Sequence, residues 1–441
     1  MSEPVMSEPA TGRAAATVVI DRLGAQGDGI AGETGGEGSA PLYVPFALPG
    51  EIWAKPDPAT SSATGQTGGG RLTLLANPNP ARVAPLCRHF GTCGGCVAQH
   101  MAAPLYAAWK RDAVAEAFRQ RGLDAEVASL RTILPHSRRR ATLSAVRTRD
   151  GLVFGYHARA SHDICDIVQC PVLDPRLEAA LPNLRAICGL LLLDNDKAGE
   201  ARVSVTLAKH GLDVALTGAF RKIDAQTRLA VVQQAQSARI QRLTANGEPV
   251  LAGAAPLVTI AGVDVALPDT AFLQAVAEAE AVILRLVVEG AGAPATTKAS
   301  VLDLFCGLGT FTFALAKVAP VFALDGDASA IAALTAASTH LQAVKPIEAR
   351  RRDLFREPLS TRELDAFDIA VLDPPRAGAA AQVHELARSK VRRVVMVSCN
   401  PATMARDCAV LVAGGYKLGV VTPIDQFVFS AHVEAVAVLT R

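Results

Sequence analysis

The sequence is short of aromatic residues, of long hydrophobic runs and of net charge. Only 5% of its 441 residues are aromatic, and 44 Lys and Arg against 42 Asp and Glu leave a formal net charge of +2. A balanced charge gives no global field that attracts a polyanion, so nucleic-acid binding would depend on local clusters. The longest apolar runs, such as residues 187–193, are far shorter than the ~18 residues of a membrane-spanning helix. The sequence therefore predicts a protein without membrane contact.

Signals for secretion and a disulfide framework are also lacking. The first residues, MSEPVMSEPATGR, have none of the basic and apolar regions of a secretory signal, which predicts a cytoplasmic protein. Nine cysteines in a chain of this length are too few and too unevenly placed for a disulfide scaffold. Three of them are clustered, and clustered cysteines in a reducing compartment indicate metal binding or catalysis.

The length predicts about three domains, and the hydrophobic pattern divides the chain accordingly. After a loose tail over residues 1–12, residues 13–83 contain short apolar stretches separated by Gly and Pro, as in a small β-barrel. Residues 84–256 mix strand and helix patterns, which is typical of an α+β domain. From residue 257 to residue 441, apolar strands alternate with helical stretches, and strands buried on both faces imply a parallel sheet. The chain is thus predicted to be a multidomain α/β protein whose last domain is doubly wound.

The segment DLFCGLGTF, residues 303–311, predicts a glycine-containing turn between a strand and a helix. Gly307 and Gly309 allow a ligand to approach the backbone at the carboxyl edge of the sheet. The next strand ends in Asp325, which is placed to accept hydrogen bonds from two ribose hydroxyls. An ordinary tight turn and a nicotinamide site are alternatives, but no third glycine completes the motif that binds a pyrophosphate. S-adenosylmethionine (SAM), which has a ribose and no phosphate, fits the segment better.

Two further predicted strands end in the carboxylates Asp353 and Asp373. The second opens the sequence Asp-Pro-Pro-Arg, in which two prolines stiffen the backbone that presents the carboxylate. A rigid loop with a solvated Asp is the alternative. Methyltransferases that act on exocyclic amines of bases have a similar motif that ends in an aromatic residue. Arg376 occupies that place here, which disfavours an amine substrate.

A possible nucleophile and a possible base follow. Residues 394–398 predict a buried strand that brings Cys399 to the same sheet edge, and a helix predicted to start near Ala402 favours the thiolate. An isolated Cys, however, is more often a small buried hydrophobe than a nucleophile. Glu434 lies inside an alternating apolar strand, where it is either an outward-facing residue or a base in a partly buried site.

A methyl donor, a thiolate and a base in one site match the methylation of carbon 5 of uracil. Carbon 5 is too weak a nucleophile to attack a sulfonium methyl group by itself. Addition of a thiolate to carbon 6 gives an enolate whose carbon 5 can attack. A base then removes the carbon 5 proton and the cysteine is eliminated.

Five segments, in the order DLFCGLGTF, ALDG, LDPPRAG, SCNPATMARD and HVEAVAVL, resemble those of the TrmA/RumA-type RNA uracil-5-methyltransferases. The resemblance covers most of residues 257–441 and implies a Rossmann-like SAM methyltransferase domain, with Cys399 as nucleophile and Glu434 as base. It also implies SAM contacts from Gln274, Phe305, Thr310, Asp325, Asp353 and Asp373. Three positions differ from the usual Asn of the family: Val276, Thr310 and Asp353.

The cysteine segment CRHFGTCGGCVAQH has the spacing of metal ligands at Cys87, Cys93 and Cys96. Zinc, with His89 or His100 as the fourth ligand, and an iron-sulfur cluster, with Cys170 as the fourth thiolate, are both compatible with these residues. The segment resembles the ligand motif of the RumA-type enzymes. This resemblance implies a [4Fe-4S] cluster on Cys87, Cys93, Cys96 and Cys170 in a structural or RNA-folding role, with Cys165 a less favoured fourth ligand.

RNA binding is expected from two regions. Six arginines and no Asp or Glu lie between residues 131 and 149: Arg131, Arg138, Arg139, Arg140, Arg147 and Arg149. Such a run is usually a solvated face, but it could clamp phosphates. Residues 13–83 resemble a TRAM domain, an OB-like RNA-binding barrel. Its charges are balanced, so Tyr43 or Phe46 would have to contribute to binding.

The combination of a TRAM-like module with the cysteine segment resembles ribosomal RNA enzymes more than transfer RNA enzymes. It therefore implies methylation of a uridine in 23S ribosomal RNA, and the chain is expected to act as a monomer. The alternatives are a transfer RNA uridine C5-methyltransferase and a non-catalytic RNA-binding protein with a vestigial SAM pocket.

Overall fold

The structure, a computed structural model, describes residues 17–32, 41–54, 73–193, 199–251, 253–269, 271–292, 300–342 and 344–441. The predicted tail over residues 1–12 lies outside these ranges. The chain divides into two compact units, the first comprising Met1–Ala84 and His100–Ala102 and the second Pro85–Gln99 and Ala103–Arg441. The second unit therefore contains both the predicted central domain and the predicted α/β domain.

The first unit is a five-stranded antiparallel sheet in the order β3-β2-β1-β4-β5. Its strands are β1 (Thr17–Leu23), β2 (Gly29–Ala31), β3 (Leu42–Val44), β4 (Ile52–Ala54) and β5 (Thr73–Ala76). Alternation along β1 places Val18 and Ile20 in a small core with Trp53. A register shift after Ile20 lets β1 pair with β4 through its first half and with β2 through its second. Within the described residues, β3 and β5 are the edges of this sheet.

The amino-terminal part of the second unit contains a seven-stranded sheet in the order β12-β11-β10-β9-β6-β7-β8. In chain order, the elements of this part of the chain are α1 (Ala103–Arg119), β6 (Arg140–Thr148), β7 (Gly151–His157), β8 (Ile164–Asp166), α2 (Pro175–Ala179), α3 (Leu181–Leu191), β9 (Ala201–Ala208), β10 (Gly211–Thr217), α4 (Ala225–Ser237), β11 (Ile240–Ala245), β12 (Glu248–Leu251), β13 (Leu257–Ile260) and β14 (Val263–Ala266). Of these, β13 and β14 contribute to the core of the carboxyl-terminal part. Neighbouring strands are antiparallel except β10 and β11. Phe154, Ile187 and Val203 belong to one core between the sheet and its helices. The arrangement is α+β, as the sequence predicts.

The carboxyl-terminal part of the second unit is built on a second seven-stranded sheet, in the order β17-β16-β15-β18-β19-β21-β20. Its elements are α5 (Ala277–Ala291), β15 (Val301–Leu304), α6 (Thr312–Leu315), β16 (Val321–Asp325), α7 (Ala328–Ser338), β17 (Ile347–Arg351), α8 (Thr361–Leu364), β18 (Ile369–Leu372), α9 (Ala380–Arg388), β19 (Arg393–Ser398), α10 (Pro401–Ala413), β20 (Lys417–Ile424) and β21 (Glu434–Thr440). β15 to β19 pair in parallel, and β21 pairs antiparallel with β19 and β20. All residues of β15 and β18 are buried, because helices cover both faces of a sheet of this kind.

The strand order reverses at β15, which has β16 on one side and β18 on the other. In open α/β sheets, ligands bind outside the carboxyl ends of the strands at such a reversal. The predicted doubly wound parallel sheet is therefore confirmed, and its topology indicates where a site should lie. None of the helices in the described ranges is long and apolar enough to cross a membrane.

Candidate active site

Five parallel strands end at one edge of the carboxyl-terminal sheet, and a predicted site residue lies at or just after the end of each. A cavity of about 530 Å³ lies at this edge. Its wall includes all eight residues that the sequence indicated as cofactor-binding or catalytic: Gln274, Phe305, Thr310, Asp325, Asp353, Asp373, Cys399 and Glu434. The structure thus brings the whole predicted set into one cavity.

The turn after β15 has an unusual backbone that brings main-chain atoms to the cavity. Phe305 (φ 61°), Gly307 (φ 52°) and Gly309 (φ 92°) all adopt left-handed conformations. A Cβ atom at Gly309 would lie 2.8 Å from the ring of Phe313, so close packing against α6 requires glycine there. The Gly307 amide donates a hydrogen bond to Asp325 Oδ2 at 2.9 Å. This bond joins the turn to the end of β16 in one continuous wall.

Cys399 and Glu434 are neighbours because β19 and β21 pair antiparallel with Ser398 opposite Ala435. The register places Cys399, one residue after Ser398, next to Glu434, one residue before Ala435. Cys399 is partly buried, and Glu434 is only 3% exposed. A thiol and a carboxyl group therefore share a sheltered corner of the cavity.

A helix begins directly after Cys399, as the sequence predicts: α10 starts at Pro401, and the Asn400 side chain caps it. The expected consequence for the thiol is wrong, however. Burial, the charge of Glu434 and the charge of Asp373 together raise the pKa of the Cys399 thiol to about 11. The favourable field of a helix start is modest, and here it does not offset burial beside two carboxylates. The thiol is protonated near neutral pH in the protein alone.

Three carboxyl groups in or near the cavity also have raised pKa values. Burial, with a contribution from nearby carboxylates, raises the pKa of Asp303 to about 7 and that of Asp373 to about 7. Burial and the charge of Asp373 raise the pKa of Glu434 well above its usual range. Asp303 Oδ2 accepts a hydrogen bond from Thr312 Oγ1 at 2.6 Å, whereas its buried Oδ1 has no partner among the described residues. A cationic ligand would stabilise the charged forms of these carboxyl groups.

Several further residues line the site. The cavity wall also contains Phe272, Phe355, Arg376 and Phe427, and Gln426 donates a hydrogen bond to Glu434. Phe355 and Arg376 lie within three residues of the predicted Asp353 and Asp373, so closeness along the chain could have indicated them. Gln426 and Phe427 lie in the connection between β20 and β21, where no sequence motif had been identified.

The clustered cysteines lie close enough together to affect one another. Burial raises the pKa of Cys93 to about 11 and that of Cys96 to about 12, and the charges of neighbouring cysteines, Cys87 and Cys170 included, add to both increases. The charge of Cys165 also contributes to the raised pKa of Cys93. The Gly95 amide donates to Cys93 Sγ at 3.4 Å.

The same segment contains His89, one of the candidate ligands for zinc. His89 Nε2 is 3.2 Å from the Val168 amide nitrogen, which donates to it, so a backbone group already occupies this candidate ligand atom. In the parts of the chain that the structure describes, no three or more His, Cys, Asp or Glu side chains are arranged as the ligands of a metal ion.

The arginine-rich window is only partly a free surface. Arg139 forms an ion pair with Glu280 (N–O distance 2.5 Å) and donates to the Gln274 carbonyl at 3.0 Å. Arg147 donates to the Gly189 carbonyl at 2.5 Å. These two side chains support the fold, which favours neither the solvated face nor the phosphate clamp for them. Arg140 lies over the ring of the cavity residue Phe272, 5.6 Å from its centroid.

The fold and the cavity define the class of protein, an α/β methyltransferase. The crystal structure of the Pyrococcus abyssi tRNA (uracil-54, C5)-methyltransferase in complex with S-adenosyl-L-homocysteine aligns with this chain with a TM-score of 0.73. The alignment covers 96% of this chain and 99% of that one at 21% sequence identity, which is a likeness of fold.

Sequence relatives identify the family. A family model described as tRNA (Uracil-5-)-methyltransferase matches residues 263–441. The chain is 44% identical over 426 residues to an uncharacterized RNA methyltransferase of Brucella melitensis, covering 96% of this chain and 97% of that protein. It is 31% identical to the 23S rRNA (uracil(1939)-C(5))-methyltransferase RlmD of Yersinia enterocolitica, covering 96% and 95% of the two chains. The chain therefore belongs to the RNA uracil-5-methyltransferase family, and the enzyme class expected from the sequence is confirmed.

Proposed function

We propose that this enzyme transfers a methyl group from SAM to carbon 5 of a specific uridine in RNA, with Cys399 as nucleophile and Glu434 as base. The observation that supports this most directly is the pairing of β19 with β21, which makes Cys399 and Glu434 neighbours on the wall of one cavity. A thiol beside a carboxyl group, in a cavity at the reversal point of a methyltransferase sheet, is the pair that uracil C5 methylation requires.

The cavity suits SAM as the donor. Its volume of about 530 Å³ is within the usual range for small-molecule sites, and a cation would stabilise the buried carboxyl groups of Asp303 and Asp373. We assign SAM binding to Gln274, Phe305, Thr310, Asp325, Asp353 and Asp373. Bound SAM supplies an electrophilic methyl group.

The chemistry of the chain's own residues follows from their positions. The Cys399 thiolate adds to carbon 6 of the uracil, and the new sulfur–carbon bond makes carbon 5 nucleophilic. When carbon 5 carries the methyl group, Glu434 accepts the carbon 5 proton, the 5,6 double bond forms again, and the bond between sulfur and carbon 6 breaks. Because the pKa of the Cys399 thiol is about 11 in the protein alone, it must fall when the reactants bind.

The test is the variant Cys399→Ala with RNA that contains either uridine or 5-fluorouridine. We expect the wild-type enzyme to form 5-methyluridine and to form a stable covalent adduct with the fluorinated RNA, since fluorine cannot leave as a proton does. Cys399→Ala should do neither, whereas Cys408→Ala, which alters a buried cysteine of α10, should do both. Full methyl transfer by Cys399→Ala would refute the covalent mechanism. A wild-type protein that binds RNA but forms no adduct would favour the non-catalytic alternative.

The RNA substrate that we favour is 23S ribosomal RNA. Two observations support it: the relative named as a 23S rRNA methyltransferase aligns over nearly the whole of this chain, and the cysteine segment resembles that of ribosomal RNA enzymes. A transfer RNA is the second candidate, because the matching family model is described by a tRNA activity. Mapping 5-methyluridine in ribosomal and transfer RNA from a deletion strain distinguishes them: the modification should disappear from one 23S position only.

We also propose that Cys87, Cys93, Cys96 and Cys170 hold a [4Fe-4S] cluster. Burial and neighbouring cysteines raise the pKa values of Cys93, Cys96 and Cys170, and iron bound to these three thiols and Cys87 would stabilise thiolates, so the donor set suits the cluster. Its role would be structural or in RNA folding. We further propose a division into a TRAM-like RNA-binding barrel at residues 13–83, a central cluster domain at 84–256 and a methyltransferase domain at 257–441.

A further inference from the structure

Gln426 is a buried residue that connects the proposed base with the proposed donor site. It is 2% exposed and follows β20 by two residues. Its Nε2 atom donates to Glu434 Oε2 at 2.8 Å and to Gln274 Oε1 at 2.8 Å. Gln274 Nε2 in turn donates to Asp373 Oδ2 at 3.1 Å. One chain of hydrogen bonds therefore runs from Glu434 through two glutamines to Asp373.

The direction of these bonds fixes the Glu434 carboxyl group. A primary amide has two N–H groups, and Gln426 uses one for Glu434 and one for Gln274, so its amide cannot rotate without losing both bonds. Glu434 Oε2 accepts from Gln426, and Glu434 lines the cavity. Because Gln426 holds Oε2, the other oxygen, Oε1, is better placed to take a proton from a substrate.

The amide at this position matters for the two hydrogen bonds that it donates. Gln426 Oε1 is buried and has no hydrogen-bond partner within the described ranges, and an unsatisfied buried oxygen is unfavourable. An unbranched apolar side chain of similar length, such as Met, would avoid that penalty but would leave Glu434 Oε2 and Gln274 Oε1 without their donor. The two donated hydrogen bonds are what only an amide provides here.

The backbone that carries Gln426 is also held firmly. The preceding residue, Asp425, forms an ion pair with Lys110 of α1 and accepts from Tyr106 Oη at 2.8 Å. Lys110 Nζ also donates to the Phe427 carbonyl at 2.9 Å. Both neighbours of Gln426 are therefore tied to one helix, so the amide keeps a fixed position beside Glu434.

We propose that Gln426 is a positioning residue for proton abstraction: it orients the Glu434 carboxylate toward carbon 5 of the uracil and favours its charged, proton-accepting form. This inference rests on the proposed function. It predicts that loss of the amide slows the last half of the reaction, in which the carbon 5 proton leaves and Cys399 is eliminated. The earlier steps, addition of Cys399 and methyl transfer, should be unaffected.

The test is Gln426→Met, compared with Gln382→Met. Gln382 is also buried, but its amide bonds to the backbone of Leu359 and does not line the cavity. With uridine RNA, Gln426→Met should lower kcat about tenfold, a fraction of what a general base contributes, and the covalent enzyme–RNA adduct should accumulate at steady state. Both Gln382→Met and Gln426→Met should lower Tm, because each leaves buried partners without a hydrogen bond, but Gln382→Met should leave the adduct fraction unchanged.

A pH profile and a fluorinated substrate separate positioning from a purely structural role. A donor to a carboxylate lowers its pKa, so its removal should move the acid limb of the kcat profile to higher pH by about one unit. Adduct formation with 5-fluorouridine RNA requires no proton removal and should keep its wild-type rate. The inference would be overturned if Gln426→Met had the turnover and the pH profile of the wild type. It would also be overturned if the variant lost turnover and the formation of the fluorouridine adduct to the same extent. A wild-type enzyme without adduct would instead refute the proposed function on which the inference rests.

Discussion

The ion pair between Lys110 and Asp425 gives the sharpest prediction about stability. Both side chains are 1% exposed, and Lys110 Nζ also donates to the carbonyls of Phe427 and His432 at 2.9 and 2.8 Å. Lys110→Met keeps the chain length but leaves the Asp425 carboxylate buried without its cation. Breaking a buried pair in this way costs about 3–5 kcal/mol. In a unit of this size, that lowers Tm by roughly 4–7 °C.

Two controls and the pH dependence make this prediction refutable. Lys209→Met removes a pair whose side chains are 42% and 39% exposed, so it should change stability by less than about 1 kcal/mol. Burial raises the pKa of Asp425, so the penalty of Lys110→Met should be full at alkaline pH and should shrink as pH falls and Asp425 becomes protonated. Adding Asp425→Asn should recover part of the lost Tm, as measured by differential scanning calorimetry. A Tm for Lys110→Met within 2 °C, or about 1 kcal/mol, of that for Lys209→Met would refute the reasoning.

Two further predictions concern ligands. The pKa values of Asp303 and Asp373 are both about 7, and a cation lowers the pKa of a nearby carboxyl group. SAM binding at pH 7 should therefore release protons. S-adenosylhomocysteine, which lacks the sulfonium charge, should release fewer. Calorimetry in buffers of different ionisation enthalpy measures this, and equal release would contradict it. Cys170→Ser should lose iron and acid-labile sulfide, whereas Cys165→Ser should keep both, as measured by iron and sulfide analysis. A wild-type protein that contains zinc and no iron would contradict the proposed cluster.

The sequence was informative where a motif residue directly follows a strand. Asp325, Asp373 and Cys399 each lie at the end of a short apolar run, and parallel pairing of those runs was sufficient to predict that these side chains meet at one edge. The start of α10 could be predicted for a similar reason, because Asn400 and Pro401 are local signals for the first turn of a helix.

The parts that sequence could not predict depend on partners far along the chain. Gln426 bonds to Gln274, 152 residues away, and neither residue belongs to a periodic pattern that would indicate the contact. Arg139 stands in a basic window that resembles a solvated face, yet its partner Glu280 is 141 residues away. Local charge density indicates that arginines are present, but only the tertiary fold determines which of them remain available for RNA.

The electrostatics of the cavity connect the two halves of the proposed reaction. Burial beside Glu434 and Asp373 keeps the Cys399 thiol protonated, so a thiolate is favoured only while a positive charge lies nearby. Methyl transfer removes the sulfonium charge, and the surroundings then favour neutral side chains again. At that point Glu434, whose pKa is raised by burial and by Asp373, is at its most basic and must accept the carbon 5 proton. Asp373, which helps to make Cys399 hard to ionise, therefore also makes Glu434 a better base in the step that releases Cys399.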